Sequence, residues 1–224
     1  MYRLYNIFRP ITKEEIERLF KIVDAMCMIL SKDIFGNGFF IELDIKDIPY
    51  KKCLMTTNNI LNENDIEINK EMTILYKNEV KIIEITKDRK ACTGSSLNYN
   101  YTCIEIFDKD DIEDYFKIDN QIKENHKEKL EKEDWNKEIF ILINQNENEF
   151  SFSLYNKIRP FWDEKLFEYT CSLSKEITLG SPIILIENNS IFGLNIGGRF
   201  GNINSEYIIE ILNNIKKYFF QNKQ

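Results

Sequence analysis

The sequence has little of several residue types that mark special classes of protein. Glycine and proline are scarce, with 8 and 4 among 224 residues, which excludes collagen-like and low-complexity chains. No uninterrupted apolar run approaches the ~18 residues that a membrane-spanning helix needs. The N-terminus lacks the apolar run and small-residue cleavage site of a signal peptide. The sequence therefore predicts an intracellular, cytoplasmic protein, or a component of a viral particle assembled in the cytoplasm, with no membrane partner.

Histidine and closely spaced cysteines are also rare. The single histidine, His126, lies in a charged segment where we expect it to be exposed, and the five cysteines include no Cys-x-x-Cys pair. Because a structural zinc site needs clustered ligands at short spacing, we expect no metal and no cofactor. Cys103 and Cys171 lie in apolar runs, so the sequence predicts buried, inert thiols and no disulfides, as in a reducing compartment.

The charge balance is mildly acidic. The formal net charge is −7 and the pI is about 5.0, which argues against a general affinity for nucleic acid. Hydrophobic residues make up 43% of the chain. A chain of this size and composition buries a sizeable core without help from disulfides or metals.

Short strand-like runs fall into two groups, at residues 25–107 and 138–200, and they are separated by polar segments. Many short strands with few helices predict an all-β chain of two antiparallel β-barrels. The polar and glycine-containing segments 31–38 and 94–96 predict turns between strands.

Helical periodicity occurs only near the two ends. Thr12 and Glu15 form a capping box that predicts a helix over 13–24, and Asn204 or Ser205 predicts the start of a closing helix. The predicted units are an N-terminal extension with a short helix (1–24), a first barrel (25–115), a charged linker (116–137), a second barrel (138–202) and a C-terminal helix (203–224).

Three segments, in this order, resemble a known family. Residues 36–40 read Gly-Asn-Gly-Phe-Phe and are followed by Cys-Leu-Met-Thr-Thr-Asn-Asn-Ile-Leu at 53–61. Residues 100–106 read Asn-Tyr-Thr-Cys-Ile-Glu-Ile. Gly-Ser-Pro-Ile-Ile-Leu at 180–185 precedes Ile-Phe-Gly-Leu-Asn-Ile-Gly-Gly at 191–198. Together they resemble the trypsin-like serine peptidases, which implies the chymotrypsin-type double barrel.

The resemblance implies which positions would carry the catalytic groups. The histidine position is Asn59, the aspartate position is Asn100 and the serine position is Leu179. The glycine that shapes the oxyanion hole is replaced by Ile177, a β-branched residue that disfavours a positive φ.

These replacements remove the chemistry. An amide is no base near neutral pH, and a leucine side chain has no nucleophile. Loss of any one triad member costs orders of magnitude in rate. The chain therefore resembles a degenerate member of the family, a pseudoprotease that is no enzyme.

The resemblance also implies a binding cleft. In the family, the stretch that matches residues 193–199 forms a wall of the substrate pocket, so Asn195, Gly197, Gly198 and Arg199 are candidate cleft residues, with Arg199 as a partner for an acidic group. Ser181 is a fifth candidate. It is either a displaced nucleophile or, as we expect, a hydroxyl of a turn or of the barrel core.

The leading functional hypothesis is non-catalytic binding of an unknown protein or peptide, in a scaffold or structural role. One alternative is an active serine endopeptidase whose catalytic site is displaced or misaligned. Another is a structural component of a larger particle such as a viral capsid. The sequence leaves the oligomeric state open.

Overall fold

The computed structural model describes residues 12–30, 35–43, 51–96, 99–117, 139–146, 149–155, 158–160, 166–170, 179–185, 191–197 and 202–221. It confirms an all-β chain with a helix towards each end. The elements are α1 Lys13–Val23, β1 Met26–Leu30, β2 Phe35–Glu42, β3 Lys52–Thr56, β4 Glu71–Tyr76, β5 Glu79–Glu84, β6 Ala91–Ser96, β7 Tyr99–Glu105, β8 Phe116–Lys117, β9 Ile139–Asn146, β10 Glu149–Tyr155, β11 Ile158–Pro160, β12 Leu166–Thr170, β13 Pro182–Leu185, β14 Ile191–Gly197, β15 Asn202–Tyr207 and α2 Ile208–Gln221. Within these ranges, neither helix is long and apolar enough to cross a bilayer.

The strands form two sheets that share one topology. The first sheet has the order β5-β4-β1-β2-β3-β7-β6, and the second has the order β10-β9-β13-β14-β15-β12-β11. In each sheet the two end strands, β5 and β6 or β10 and β11, follow one another in the chain. The chain therefore passes directly from one end of the sheet to the other, and the sheet curls on itself. When each pair of end strands is counted as one strand and the short β8 is left aside, both sheets contain six strands in the spatial order 1-2-3-6-5-4. Apart from β8, which pairs with β2 in parallel, all the strand pairs are antiparallel.

Two apolar clusters fill the described interior. The first lies inside the first barrel, and it includes Phe40, Leu54, Ile60 and Ile74. The second, which we call the shared core, contains residues from both barrels and both helices: Ile22, Ala25, Met26, Phe39, Ile41, Leu43, Cys53, Met55, Cys92, Tyr101, Cys103, Phe116, Ile184, Ile191, Leu194, Ile208, Ile211, Leu212 and Ile215. Because one cluster joins both barrels to α2, the barrels are packed as one unit.

A buried ion pair fixes the bend between β5 and β6. The Arg89 side chain is fully buried and makes two parallel hydrogen bonds to the Asp110 carboxylate, at 2.7 and 2.8 Å. Two more of its N–H groups donate to the carbonyl oxygens of Glu84 at 2.7 Å and Glu105 at 2.5 Å. Arg89 also lies 4.3 Å from the centre of the Phe107 ring. One side chain therefore ties the end of β5 to β7 where no strand pairing does so.

Two predicted turns are wrong in part. Residues 35–38 belong to β2, where Gly36, Asn37 and Gly38 lie opposite Ile29, Met28 and Cys27 of β1. Residues 94–96 belong to β6 and pair with β7. In both places, ladder hydrogen bonds to a neighbouring strand outweigh the turn preference of glycine, serine and asparagine. The rest of the first predicted turn, 31–34, lies outside the described residues.

The predicted boundaries also shift at two places. Residues 202–207 form β15, which pairs with β12 and β14, so α2 begins at Ile208 rather than at 203. The start predicted for the charged linker at 116 falls on β8, where Phe116 is buried and packs edge-on against Phe39, with ring centres 5.9 Å apart. Sheet pairing at both places overrides the local capping and charge signals. Residues 118–138 lie outside the described residues.

Candidate functional site

The turn after β3 carries Asn58 and Asn59. The side chain of Asn59 is exposed, whereas Asn58 donates to the Thr93 hydroxyl at 2.6 Å. The Thr93 and Thr102 hydroxyls lie 2.9 Å apart, and Thr102 donates to the carbonyl oxygen of Leu61 at 2.5 Å. A hydroxyl pair on β6 and β7 therefore holds this turn in place.

Asn100 lies on β7 opposite Ser95 of β6 and is partly exposed. The next residue, Tyr101, points into the shared core, and its hydroxyl accepts a hydrogen bond from Asn214 of α2 at 2.8 Å. Strand β7 also lies in contact with β14. Asn100 is thus carried by a strand of the first barrel that contacts both the second barrel and α2.

Leu179 lies at the point where the second barrel meets the first. Its carbonyl oxygen accepts a hydrogen bond from the main-chain N–H of Asn37, at 2.9 Å. Its half-buried side chain packs against the apolar cluster of the first barrel. The position that the sequence resemblance assigns to the serine therefore presents an alkyl group that contributes to packing.

Gly180 lies close against the backbone of the first barrel. It has a φ of +78°, and a Cβ atom built there would overlap the Asn37 carbonyl oxygen and lie 2.6 Å from the Thr56 hydroxyl oxygen. That hydroxyl already donates to the Asn37 carbonyl at 2.8 Å. Only glycine fits here without strain, because both the backbone conformation and the available space exclude a side chain.

Asn195 connects β14 to the turn that precedes β13. Its main chain accepts from Gly180 N–H at 3.0 Å and donates to the Ser181 carbonyl at 2.9 Å. Its side chain is fully buried, and the side-chain oxygen accepts the N–H of Gly197 at 3.0 Å. Gly197 has a φ of +82° and follows a bulge in the pairing with β15. Asn195 therefore connects the 180–181 turn to the end of β14.

Ser181 and Thr57 are two buried hydroxyls at this junction. Both residues are 0% exposed, and neither hydroxyl has a hydrogen-bond partner in the described part of the structure. A nucleophile needs access to its substrate and a base within hydrogen-bond reach. Ser181 therefore has the surroundings expected of a core hydroxyl.

The four described cysteines, Cys27, Cys53, Cys92 and Cys103, are buried thiols. Burial strongly raises the pKa of Cys27, which disfavours the reactive thiolate. Among the described residues, no group of three or more His, Cys, Asp or Glu side chains is placed to hold a metal ion. Five predicted residues lie outside the described ranges: Ile177, Gly198, Arg199, His126 and Cys171.

Structural comparison finds viral and bacterial proteases. The serine protease of human pathogenic astrovirus has a TM-score of 0.56 at 11% identity, covering 83% of this chain and 90% of its own. The Rv3671c protease of M. tuberculosis, in an inactive form, has a TM-score of 0.60 at 11% identity, covering 89% and 91%. Tobacco etch virus protease has a TM-score of 0.58 at 12% identity, covering 95% and 85%.

This chain has the chymotrypsin-like fold. No protein-family model matches the sequence, and no curated protein matches it. At identities of 10–13%, the structural likeness establishes the fold alone.

Sequence reasoning missed several residues that build the junction. Asn37 and Thr56 carry contacts of the first barrel to residues 179–180, and Thr93 and Thr102 hold the Asn58 turn. Asn37, Thr56 and Thr102 lie within the matched segments, but no motif assigns them a contact. Their roles depend on which strands face one another.

Proposed function

We propose that this chain is a catalytically inactive chymotrypsin-like protein that binds an extended segment of another protein. The observation that carries the proposal is the Leu179 turn. Its main chain docks on Asn37, while its side chain packs into an apolar cluster instead of offering a nucleophile. The exposed amide of Asn59 has no basicity near neutral pH, and the Ser181 hydroxyl is buried.

The end of β14 supports a binding role. Pairing with β13 begins at Pro182 opposite Leu194, and the main-chain groups of Asn195 hydrogen-bond to residues 180 and 181. Residues 196–197 extend past these hydrogen bonds. On the β13 side of β14, none of the described strands pairs with them. An incoming strand gains affinity from main-chain pairing at such an edge and needs no catalytic group.

A fluorophosphonate probe tests the absence of catalysis. The probe labels an activated serine, and we expect no labelling of this protein under conditions that fully label trypsin. Stoichiometric labelling at a single serine would instead favour the alternative of an active endopeptidase with a displaced site.

Restoring the triad tests which elements are missing. The triple variant Asn59→His, Asn100→Asp, Leu179→Ser is expected to show little or no peptidase activity, because Ile177 replaces the glycine of the oxyanion hole. Loss of one oxyanion donor costs roughly 10²–10³ in rate. Adding Ile177→Gly tests whether the oxyanion hole is the missing element, and a fluorogenic peptide library measures the peptidase activity of both variants. Strong activity from the triple variant alone would contradict this account of Ile177.

Peptide selection tests the binding surface. We expect peptides selected from a displayed random library to bind the wild type and to lose most of their affinity for Ile196→Lys, which alters the half-buried end of β14. The matched control is Ile82→Lys, on the outer side of the first barrel, where Ile82 is 59% exposed. Equal losses in both variants, or no selection at all, would contradict the proposed site.

A further inference from the structure

Cys92 and Cys103 lie directly opposite each other on neighbouring antiparallel strands, β6 and β7. Both are buried thiols, at 2% and 0% exposure, and both belong to the shared core. Their side chains therefore leave the two strands on the same face, at the same level of the barrel.

The spacing of this strand pair allows a strained disulfide. Glu105 N–H donates to the Lys90 carbonyl at 2.8 Å, so the alternation of the antiparallel ladder makes 92 and 103 a hydrogen-bonded pair. Such pairs have Cα atoms about 5.5 Å apart, within the range of roughly 4.4–6.8 Å that disulfides span, but their Cβ atoms are about 4.5–5.5 Å apart, farther than the roughly 3.5–4.5 Å of a relaxed disulfide. Strain of this kind makes a disulfide easier to reduce. Strand β6 is also an end strand of its sheet, with β7 as its partner. Because both thiols are buried, the reaction requires β6 to open locally, which costs less than global unfolding and brings the thiols into contact with solvent, where they can ionise and meet an oxidant.

The pair is adjacent to the residues that hold the Asn58 turn. Thr93 follows Cys92 and Thr102 precedes Cys103, and the two hydroxyls lie 2.9 Å apart. Asn58 donates to Thr93, and Thr102 donates to the carbonyl oxygen of Leu61. A covalent bond between 92 and 103 would hold β6 and β7 together at the point where this turn is anchored.

We propose that Cys92 and Cys103 form a reversible disulfide that acts as a redox switch on the Asn58–Asn59 turn, with hydrogen peroxide as the oxidant. The Cys92 thiolate attacks the peroxide, so that an S–O bond forms, the O–O bond breaks and one water leaves after protonation. The Cys103 thiolate then attacks the sulfenic sulfur, the S–S bond forms, and the S–O bond breaks to release a second water. Two thiols lose two electrons to the peroxide, and their protons end in the two waters. A dithiol reductant reverses the step.

The sequence makes the bond easy to map. Lys90 and Lys109 are the trypsin sites that bound residues 91–109, and this fragment contains Cys92 and Cys103 and no other cysteine. The full-length protein is treated with hydrogen peroxide, alkylated under denaturing conditions and digested with trypsin. We expect the fragment to be two hydrogens lighter and unalkylated, and to become doubly alkylated when dithiothreitol precedes alkylation.

Variants separate this pair from the other buried thiols. Cys53→Ser is the matched control and should leave the light fragment unchanged, whereas Cys92→Ser should abolish it. The mapping in the wild type stands even where a variant fails to fold. A fragment that stays doubly alkylated, gains only oxygen, or is cross-linked to another cysteine would overturn the proposal.

Hydrogen exchange tests the coupling to the turn. Ile60 and Leu61 N–H groups donate to the Thr57 carbonyl within the turn. In the oxidised protein these amides should exchange at least about threefold more slowly than in the reduced protein. Equal exchange rates in the two forms would overturn the switch.

Discussion

The bend of the first barrel and the junction between the barrels bury polar groups in opposite ways. At the bend, the Arg89 side chain and the Asp110 carboxylate satisfy each other, and nearby main-chain groups take the remaining hydrogen bonds. At the junction, the Thr57 and Ser181 hydroxyls are buried without a hydrogen-bond partner in the described structure. A paired buried group fixes one geometry, whereas an unpaired one costs stability.

The difference indicates what each region does. The bend is structural, since its charges neutralise each other and tie β5 to β7. The junction places polar side chains among apolar ones where the 179–181 turn meets the first barrel. Four substitutions test this comparison, beginning with the largest expected effect.

Replacing Arg89 should have the largest effect. Arg89→Met leaves the buried Asp110 carboxylate without its cation, which costs about 3–5 kcal/mol when a buried pair is broken. Denaturant unfolding measures the loss. The control is Lys52→Met, which removes the exposed Lys52–Asp108 pair and should cost about 0–1 kcal/mol. Similar losses of unfolding free energy in both variants would show that the Arg89–Asp110 pair does not stabilise the bend.

Gly180→Ala should be next. A positive φ in a non-glycine residue costs about 1–3 kcal/mol, and the added methyl overlaps the Asn37 carbonyl, which increases the loss. Gly38→Ala is the control, because its Cβ would meet the flexible ends of Ile29 and Leu54, each at 2.9 Å. Thermal melting should rank Gly180→Ala as the more destabilised variant; the reverse order would mean that the barrels separate easily.

Leu179→Ser should lower stability by roughly 1–3 kcal/mol, since it removes packed apolar surface and adds a hydroxyl. Chemical denaturation checks this value against Ile82→Ser on an exposed strand face, which should change stability by less than about 0.5 kcal/mol. An unchanged or raised midpoint for Leu179→Ser would show that Leu179 serves as a contact surface instead.

Ser181→Ala should have the smallest effect and is expected to be neutral or stabilising by up to about 1 kcal/mol, because it removes an unpaired buried hydroxyl. Thr102→Val is the contrasting variant. It should destabilise by about 1–3 kcal/mol, since the Leu61 carbonyl loses its donor. A clear loss of stability from Ser181→Ala would show that this hydroxyl has a partner after all.

Local pattern was sufficient for some elements and misleading for others. The helix predicted over 13–24 forms over Lys13–Val23, and most apolar strand-like runs are strands. The polar strand Ala91–Ser96 and the late strand Asn202–Tyr207 were missed. Strand β6 pairs with the next strand, β7, and the late strand pairs with β14 and the more distant β12. Both segments are polar, so the apolar pattern that marks the other strands does not reveal them.

The sequence by itself determined the fold class, through the spacing of short apolar runs, and it determined that positions 59, 100 and 179 carry no acid, base or nucleophile. Tertiary structure alone decided that Leu179 docks on Asn37, that Gly180 has no room for a side chain, and that Arg89 closes the first barrel. Periodicity and side-chain chemistry are properties of neighbouring residues, whereas these contacts depend on which strands two separate barrels bring face to face.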